Sequence, residues 1–317
     1  MREHLKEYIE TSKTASVRGL RILLEYFHAT EIFDPIVSKK IKIISVFGSA
    51  RMKEGSPEYH LAYQVGQKLR DQGFAVVTGA SQGVMQAVNQ GAADSIAREL
   101  MKQKKASSME AARELPAYQQ QLKVYSIGLK ISLPFEAESN PYLGSQSTFH
   151  YFMVRKFFFA TLSSGFIACE GGWGTRDELF EMLTLVQTGK SPLMPIVYIS
   201  PDAAHFEQDL KHTVARHYIN PNDTKLIHVV KTPDQAVKVI CEFYRCVDQV
   251  IDGGNGDIIL QLKKGLSEAM KKRVTAQVTR TNAFRQVHYE PKKIILRNFD
   301  YSSYGHISDI VFLLAKL

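Results

Sequence analysis

The chain has 317 residues, of which 44% are hydrophobic and 23% are charged. This length and balance suffice for one large core with an appendage and exclude a compositionally disordered protein. No apolar run reaches transmembrane length and the N-terminus lacks the apolar stretch of a signal peptide, so we expect a cytoplasmic protein that does not contact a membrane. Three cysteines, Cys169, Cys241 and Cys246, form neither a disulfide framework nor a metal site, and the histidines have no tight ligand spacing.

Residues 1–40 have the spacing of apolar side chains that is typical of a helix. We expect this helical segment to pack its apolar side on the core or on a neighbouring subunit. That side carries Leu5, Ile9, Leu20, Leu23, Leu24 and Phe27.

Apolar, β-branched runs alternate with helical patterns over residues 41–246. This alternation predicts an α/β fold, a doubly wound, Rossmann-like parallel sheet. In such folds ligands bind at the carboxyl ends of the strands, so the glycine turns that follow the strands should converge. The predicted strands cover residues 41–46, 74–78, 124–131, 165–169, 195–198 and 226–230.

A glycine-rich turn stands between a predicted strand and a predicted helix. Residues 170–178 read Glu-Gly-Gly-Trp-Gly-Thr-Arg-Asp-Glu. Free N–H groups in a first helical turn and the positive end of the helix dipole bind phosphate, and glycines let the backbone come close. We therefore predict a phosphate site formed by Gly171, Gly172, Gly174 and Thr175. A second interpretation is open, because Thr175 and Glu178 also fit a capping box, in which Glu178 only returns a hydrogen bond to the N-cap amide.

Residues 149–159 read as an apolar, aromatic helix with two adjacent cations, Arg155 and Lys156. Apolar residues cover nearly every face, so we expect this helix to be largely buried. Buried cations are costly without an anion or an open cleft. The pair therefore indicates either a ligand site or structural ion pairs.

Taken together, these segments resemble the LOG family of nucleoside 5′-monophosphate phosphoribohydrolases, whose members are often labelled lysine decarboxylases. The family pairs an Arg-Lys helix with a Pro-Gly-Gly-x-Gly-Thr-x-x-Glu turn, and this chain has Arg155-Lys156 and the turn 171–178 at a similar separation. The resemblance covers residues 41–246. Further similar segments are residues 47–51, 78–85, 128–134 and 140–142.

The resemblance implies hydrolysis of the N-glycosidic bond of a nucleoside 5′-monophosphate, giving free base and ribose 5-phosphate without a cofactor. It also implies a homodimer, and it makes Arg155 and Glu178 the catalytic pair. No pyridoxal-lysine signature supports the decarboxylase label. The residues implied to bind the nucleotide are Gly48, Ser49, Gly79, Ser81, Gly83 and Lys156.

The chain departs from the family pattern in two turns. Glu170 stands where the family usually has proline, and it places a negative charge beside the phosphate turn. Ala80 and Ser81 stand where the family commonly has glycine, and Gln82 stands where it often has proline. Ala80 disfavours the positive φ that glycine allows. These departures leave open a non-catalytic nucleotide sensor or carrier.

Residues 247–317 read as a small α+β appendage, with a turn at 252–257, a strand at 258–262, a basic helix, and strands at 293–296 and 310–314. Residues 262–297 hold ten cations and two acids, so the net charge of +8 of the whole chain is concentrated there. Single-strand nucleic-acid binding through these cations is a further alternative function. Most such charge runs are solvated faces, so we do not expect nucleic acid as a partner.

Overall fold

The computed structural model describes residues 14–103, 105–133 and 138–316. Contacts divide the chain into two compact units, unit 1 with residues 1–46 and 50–163 and unit 2 with residues 47–49 and 164–317. Leu5 and Ile9, and Pro134 at the end of the segment 128–134, lie outside the described residues.

Helices and parallel strands alternate in unit 1. Its strands pair in parallel in the order β4-β3-β2-β1, with Ile43 opposite Ala75 and Val77 opposite Ile127. The elements are α1 (Ala15–Val37), β1 (Ile43–Phe47), α2 (Pro57–Asp71), β2 (Ala75–Thr78), α3 (Val84–Lys102), α4 (Met109–Arg113), α5 (Pro116–Tyr125), β3 (Ser126–Ile131), β4 (Ser145–Phe149) and α6 (Phe152–Leu162).

Two glycines let α2 and α3 pack with their backbones in contact. A Cβ at Gly66 would lie 2.0 Å from the carbonyl oxygen of Val88, and a Cβ at Gly91 would lie 2.0 Å from that of Tyr63. Any larger side chain at either glycine would force the helices apart. This close packing fixes the position of α3, whose first turn follows the loop after β2.

The polar strand β4 was not predicted, because Ser-Gln-Ser-Thr-Phe has no apolar alternation. The helix predicted to begin at Phe149 begins three residues later, since Phe149 ends β4 and α6 starts at Phe152. The expectation of a largely buried α6 is wrong for one face. Its exposed large apolar side chains are Phe152, Met153 and Phe157, and its buried residues are Val154, Arg155, Phe158 and Phe159.

The predicted N-terminal helix is confirmed from residue 15 to residue 37 as α1. It packs through Ala29, Phe33 and Ile36, which are buried. The apolar side predicted from the sequence is a different one, and its described members remain exposed. They are Leu20, Leu23, Leu24 and Phe27, with exposed fractions of 41 to 58%.

Unit 2 continues the parallel sheet and then changes to an antiparallel one. Strands β5, β6 and β7 pair in parallel, with Phe166 opposite Ile196 and Ile196 opposite Ile227. The elements are β5 (Ser163–Cys169), α7 (Trp173–Gln187), β6 (Ile196–Ile199), α8 (Ala204–Ala215), a 3₁₀ helix (Pro221–Leu226), β7 (Ile227–Val230), α9 (Pro233–Cys246), β8 (Val247–Gly254), β9 (Asp257–Leu262), α10 (Glu268–Thr281), β10 (Gln286–Glu290), β11 (Lys293–Arg297) and α11 (Gly305–Ala315).

The seven parallel strands form one sheet in the order β4-β3-β2-β1-β5-β6-β7. This order confirms the predicted doubly wound, Rossmann-like α/β fold. All six strands expected in residues 41–246 are present, with ends that differ by at most two residues. None of the described helices combines the length and the apolar character needed to cross a membrane.

The C-terminal module, β8 to α11, contains the antiparallel sheet β10-β11-β9-β8. The strand predicted at 258–262, the basic helix and the strand at 293–296 are confirmed as β9, α10 and β11. The strand predicted at 310–314 is wrong, since these residues belong to α11, which packs on α9 and on the 3₁₀ helix. Strands β8 and β10 were not predicted.

Candidate functional site

Helix α7 begins in the predicted phosphate turn. Its N-cap is Gly172, and no side chain caps the helix there. Thr175 occupies the third helical position, so the capping-box interpretation, which requires Thr175 at the N-cap, is wrong. The first-turn N–H groups and the positive end of the helix dipole are thus presented without a side-chain cap, as an anion site requires.

The three glycines of this turn differ in their surroundings. A Cβ at Gly171 would lie 2.2 Å from Thr175 Oγ1 and 3.1 Å from Ser49 N, so Gly171 is needed for packing. A Cβ at Gly172 or Gly174 would have no atom within 4 Å. The backbone is therefore open to an approaching group at two of the three positions.

Thr175 and Glu178 lie three residues apart on the buried side of α7, with exposed fractions of 7% and 3%. Leu179 and Met182 continue the same side. Glu178 is thus a buried carboxylate on the helix that follows the turn.

Backbone and side-chain hydrogen bonds join the end of β1 to the turn within unit 2. Ser49 N donates to the carbonyl oxygen of Glu170 at 3.2 Å. The side chain of Glu170 accepts from Ser200 Oγ at 2.5 Å, and Ser200 Oγ accepts from Asp202 N at 3.0 Å. The unusual carboxylate at position 170 is therefore held by the loop that follows β6.

Cys169 ends β5 directly before this turn. Burial, with a smaller contribution from the charge of Glu170, raises the pKa of its thiol to about 12. The thiol is consequently neutral near pH 7 and is a poor nucleophile. Cys169 is a buried core residue.

In unit 1, the loop after β2 adopts the strained conformation that its sequence disfavours. Ala80 has a φ of 65°, and Gly83, the N-cap of α3, has a φ of 66°. Thr78 Oγ1 accepts from Ala80 N at 3.1 Å. A Cβ at Gly128 would lie 2.9 Å from the Ala80 methyl group, so the glycine on β3 leaves room for the alanine.

Two buried asparagines hold this loop. Asn140 N donates to the carbonyl oxygen of Ala80 at 2.9 Å, and Asn140 Nδ2 donates to that of Ser81 at 3.2 Å. Asn89 Oδ1 accepts from both Thr78 Oγ1, at 2.7 Å, and Asn140 Nδ2, at 3.2 Å. Sequence reasoning gave Asn89 no role, although a fully buried asparagine in a helix of small residues needs such partners.

Arg155 reaches the same loop from α6. Its guanidinium group lies 4.9 Å from the ring centroid of Phe152 and 5.7 Å from that of Phe159. Its Nη1 atom is 3.9 Å from the position that a Cβ at Gly79 would occupy. Cation–π contact with two rings of its own helix orients the group and accounts for part of its tolerance of burial.

The predicted site residues thus fall into two sets. Unit 1 brings Arg155 to the loop that carries Gly79, Ser81 and Gly83, and Lys156 follows on α6, half-buried. Unit 2 brings Ser49 and Gly48 to the turn with Glu178. In the part of the chain that the structure describes, no three His, Cys, Asp or Glu residues are grouped so that they could hold a metal ion.

Comparison with known families adds to this geometry. A family model described as "Possible lysine decarboxylase" matches residues 85–240, and a model of the SLOG cluster4 family matches residues 41–107. The chain belongs to the LOG family. Both Arg155 and the turn 171–178 lie inside the first match, whereas the C-terminal module lies beyond the end of either match.

Among solved structures, this LOG-family chain is similar to the molybdenum cofactor binding protein of the phototrophic bacterium Rippkaea orientalis, with a TM-score of 0.41, 19% identity, and coverage of 63% of this chain and 95% of that one. The molybdenum cofactor carrier protein of Chlamydomonas reinhardtii gives a TM-score of 0.41, 19% identity, and coverage of 63% and 96%. Likeness at this level carries no argument about function. The sequence matches none of the curated proteins with which it was compared.

Proposed function

We propose that this LOG-family protein hydrolyses the N-glycosidic bond of nucleoside 5′-monophosphates. The observation that carries the proposal is the position of Glu178, a buried carboxylate on the helix that the open glycine turn begins. A helix N-terminus with room beside its backbone suits a phosphate, and a nearby buried carboxylate suits a cationic sugar.

In the proposed reaction, the C1′–N bond of the nucleotide breaks and the base leaves with the bonding electrons and takes up a proton. Water supplies the oxygen that bonds to C1′, so the products are the free base and ribose 5-phosphate. Positive charge develops on the ribose as the bond breaks, as in glycoside hydrolysis. Glu178 stabilises this charge and either orients the water or forms a transient bond to C1′.

The 5′-phosphate acts as an anchor in this scheme. Gly171, Gly172, Gly174 and Thr175 hold it, and its binding energy positions the ribose for reaction. A nucleoside without the phosphate should therefore react poorly.

Family resemblance assigns Arg155 to the same reaction. A guanidinium group keeps its proton throughout the accessible pH range, so Arg155 does not act as the general acid and instead positions substrate by charge and hydrogen bonding. Lys156 adds positive charge for the nucleotide. Gly48, Ser49, Gly79, Ser81 and Gly83 line the turns that receive it in this proposal.

The test is free-base release from a panel of nucleoside 5′-monophosphates and the matching nucleosides, followed by chromatography. We expect release from monophosphates only, and a fall of about two to three orders of magnitude in kcat in Glu178→Gln, which keeps the size of the side chain but loses its charge. Binding of the monophosphates should persist in this variant.

Two results would contradict the proposal. Full activity in Glu178→Gln would remove the carboxylate from the mechanism. Tight monophosphate binding by the wild-type protein without release of any base would replace the enzyme by a nucleotide sensor or carrier, the function that the unusual Glu170 and Ala80 leave open.

A further inference from the structure

The folded C-terminal module gathers cations from three separate segments of the chain at one end. Leu262 N donates to the carbonyl oxygen of Lys292 at 2.8 Å. A Cβ at Gly265 would lie 3.0 Å from the carbonyl oxygen of Pro291. The loop after β9 therefore lies against the turn between β10 and β11.

The first turns of α10 are tied to the same end. Tyr289, near the end of β10, donates from Oη to the carbonyl oxygen of Lys271 at 2.9 Å. The same hydroxyl is 2.9 Å from Thr275 Oγ1. The start of α10, the loop after β9 and the β10–β11 turn thus form one surface, although they are separated in sequence.

The acids of this surface are already paired. Glu268 bonds Lys271 at 2.7 Å, and Glu290 lies 3.6 Å from Lys293. Five further cations are exposed, and none of them forms an ion pair with any described residue. We call this group the basic end, and it consists of Lys263, Lys264, Lys272, Arg273 and Lys292.

We propose that the basic end binds the phosphate backbone of nucleic acid. A run of charges in sequence is often only a solvated face, but here folding concentrates five unpaired cations from three segments and adds no free acid. Repeated phosphates match such a surface, because each neutralised phosphate releases condensed counterions. This function is separate from the proposed hydrolysis, whose residues lie on other elements.

The surroundings of the basic end favour nucleic acid over other anionic partners. Bilayer binding needs large apolar anchors beside the cations, and the exposed apolar side chains of α10 are only the small ones of Ala269 and Ala276. The large exposed apolar side chains of the described module, Ile251 and Tyr301, lie on other elements. Protein interfaces are depleted in lysine and rely on aromatic anchors, whereas Tyr289 at this surface is half-buried and its hydroxyl is bonded to α10.

The test measures fluorescence anisotropy of a fluorescein-labelled 20-nucleotide single-stranded RNA titrated with the full-length protein. Five phosphate contacts predict a slope of about −3.5 for the logarithm of affinity against that of salt concentration, and roughly a hundredfold loss between 50 and 200 mM salt. The triple variant Lys264→Glu, Lys272→Glu, Arg273→Glu should lose at least 100-fold in affinity at 50 mM salt. Its base release and thermal unfolding midpoint should stay near those of the wild-type protein.

A matched control separates the basic end from net charge. Lys211→Glu, Arg216→Glu, Lys231→Glu makes the same charge change at exposed positions elsewhere in unit 2. The affinity of this control variant for the RNA should fall by less than about threefold, which is the loss expected from the change in net charge alone. Equal losses in the two triple variants would overturn the proposal, as would binding to phosphatidylserine vesicles without binding to the RNA.

Discussion

At the scale of single residues, the glycines of the predicted phosphate turn have different roles: one allows close packing and the others leave the backbone open to a ligand. Gly171 packs directly against the side chain of Thr175, so a larger residue at position 171 would disturb the fold. Gly174 lies inside α7 with open space beside it. A methyl group at Gly174 therefore tests access to the backbone without a clash in the protein.

Gly174→Ala should move stability and substrate affinity in opposite directions. Alanine is the better helix former by up to about 1 kcal/mol, so α7 should become more stable. The methyl group occupies the space proposed for phosphate, so KM for the monophosphate should rise roughly tenfold or more. Urea unfolding and base-release kinetics measure the two effects.

The control for this change is Gly19→Ala on α1, where a Cβ would also have no atom within 4 Å. It should stabilise a helix in the same way but leave KM unchanged. An unaltered KM in Gly174→Ala would argue against phosphate binding at this turn.

The sequence predicts candidate site residues but not the groups that support them. Glu178, Thr175 and the glycines were recognisable because a turn motif is local and carries its own chemistry. Asn89 and Asn140 were not assigned a role, since their hydrogen bonds cross 51 residues of sequence and depend on the packed sheet. Ala80 was correctly identified as a poor residue for positive φ, yet its conformation depends on the space that Gly128 provides.

At the scale of elements, α11 is the helix that sequence reasoning assigned as a strand. The run Ile310–Leu314 is too short for periodicity alone to distinguish a strand from a buried helix. With Ile307 included, the buried positions 307, 310, 311 and 314 follow helical spacing. The helix is stabilised by tertiary contacts with α9 and the 3₁₀ helix, which a local pattern does not contain.

Two histidines at the contacts of α11 predict that the stability of this element depends on pH. Asn222 Nδ2 donates to His306 Nε2 at 3.2 Å, and His306 Nδ1 is buried without a partner in the described part of the chain. Burial, followed by the charge of Lys225, lowers the pKa of His306 despite Asp309, Asp300 and Asp223 nearby. Burial also lowers the pKa of His228, although the charge of Glu242 opposes this shift, and the ring of His228 packs on that of Phe312.

A lowered pKa in the folded protein means that the unfolded chain binds the proton more readily. Stability should therefore fall as the pH drops below about 6.5, the ordinary value for histidine, and rise toward neutral pH. His306→Gln removes one of the two groups. Urea unfolding at pH 7.5 and 5.5 measures the free energy of unfolding. Between these two pH values it should fall less in the variant than in the wild-type protein, by at most about 1.4 kcal/mol per pH unit. Parallel pH curves for variant and wild-type protein would contradict the assignment.

At the scale of the whole molecule, the exposed apolar side chains of unit 1 gather on α1 and α6. We call this the apolar face, formed by Leu20, Leu23, Leu24, Phe27, Phe152, Met153 and Phe157. The two helices are joined beneath it, because the carboxylate of Glu25 accepts from His150 N and Tyr151 N at 2.9 and 3.2 Å. The ring of Tyr26 bridges them, at 5.7 Å from the centroids of both Phe27 and Phe157.

From their exposed fractions, these side chains present roughly 700 Å² of apolar surface, more than the patch of about 300–600 Å² usual on a monomer. A standard interface buries about 800 Å² on each partner. The face therefore has nearly the area that a twofold contact between two copies requires. The sequence predicted that the apolar side of this helix packs either on the core or on a neighbouring subunit. Since this side of α1 does not face the core, we expect it to pack on a neighbouring subunit.

We expect the protein to be a homodimer in solution through this face. Light scattering coupled to size exclusion should give twice the 35.8 kDa of one chain. Leu23→Glu with Phe157→Glu places charge in the centre of the face, and burial of unpaired charge is costly enough to shift the mass to that of a monomer. Ile251→Glu changes another exposed apolar position, on β8 and outside this face, and should remain dimeric. A monomeric wild-type protein would leave the apolar face without a second copy to cover it, whereas a dimer that persists in the double variant would place the interface elsewhere.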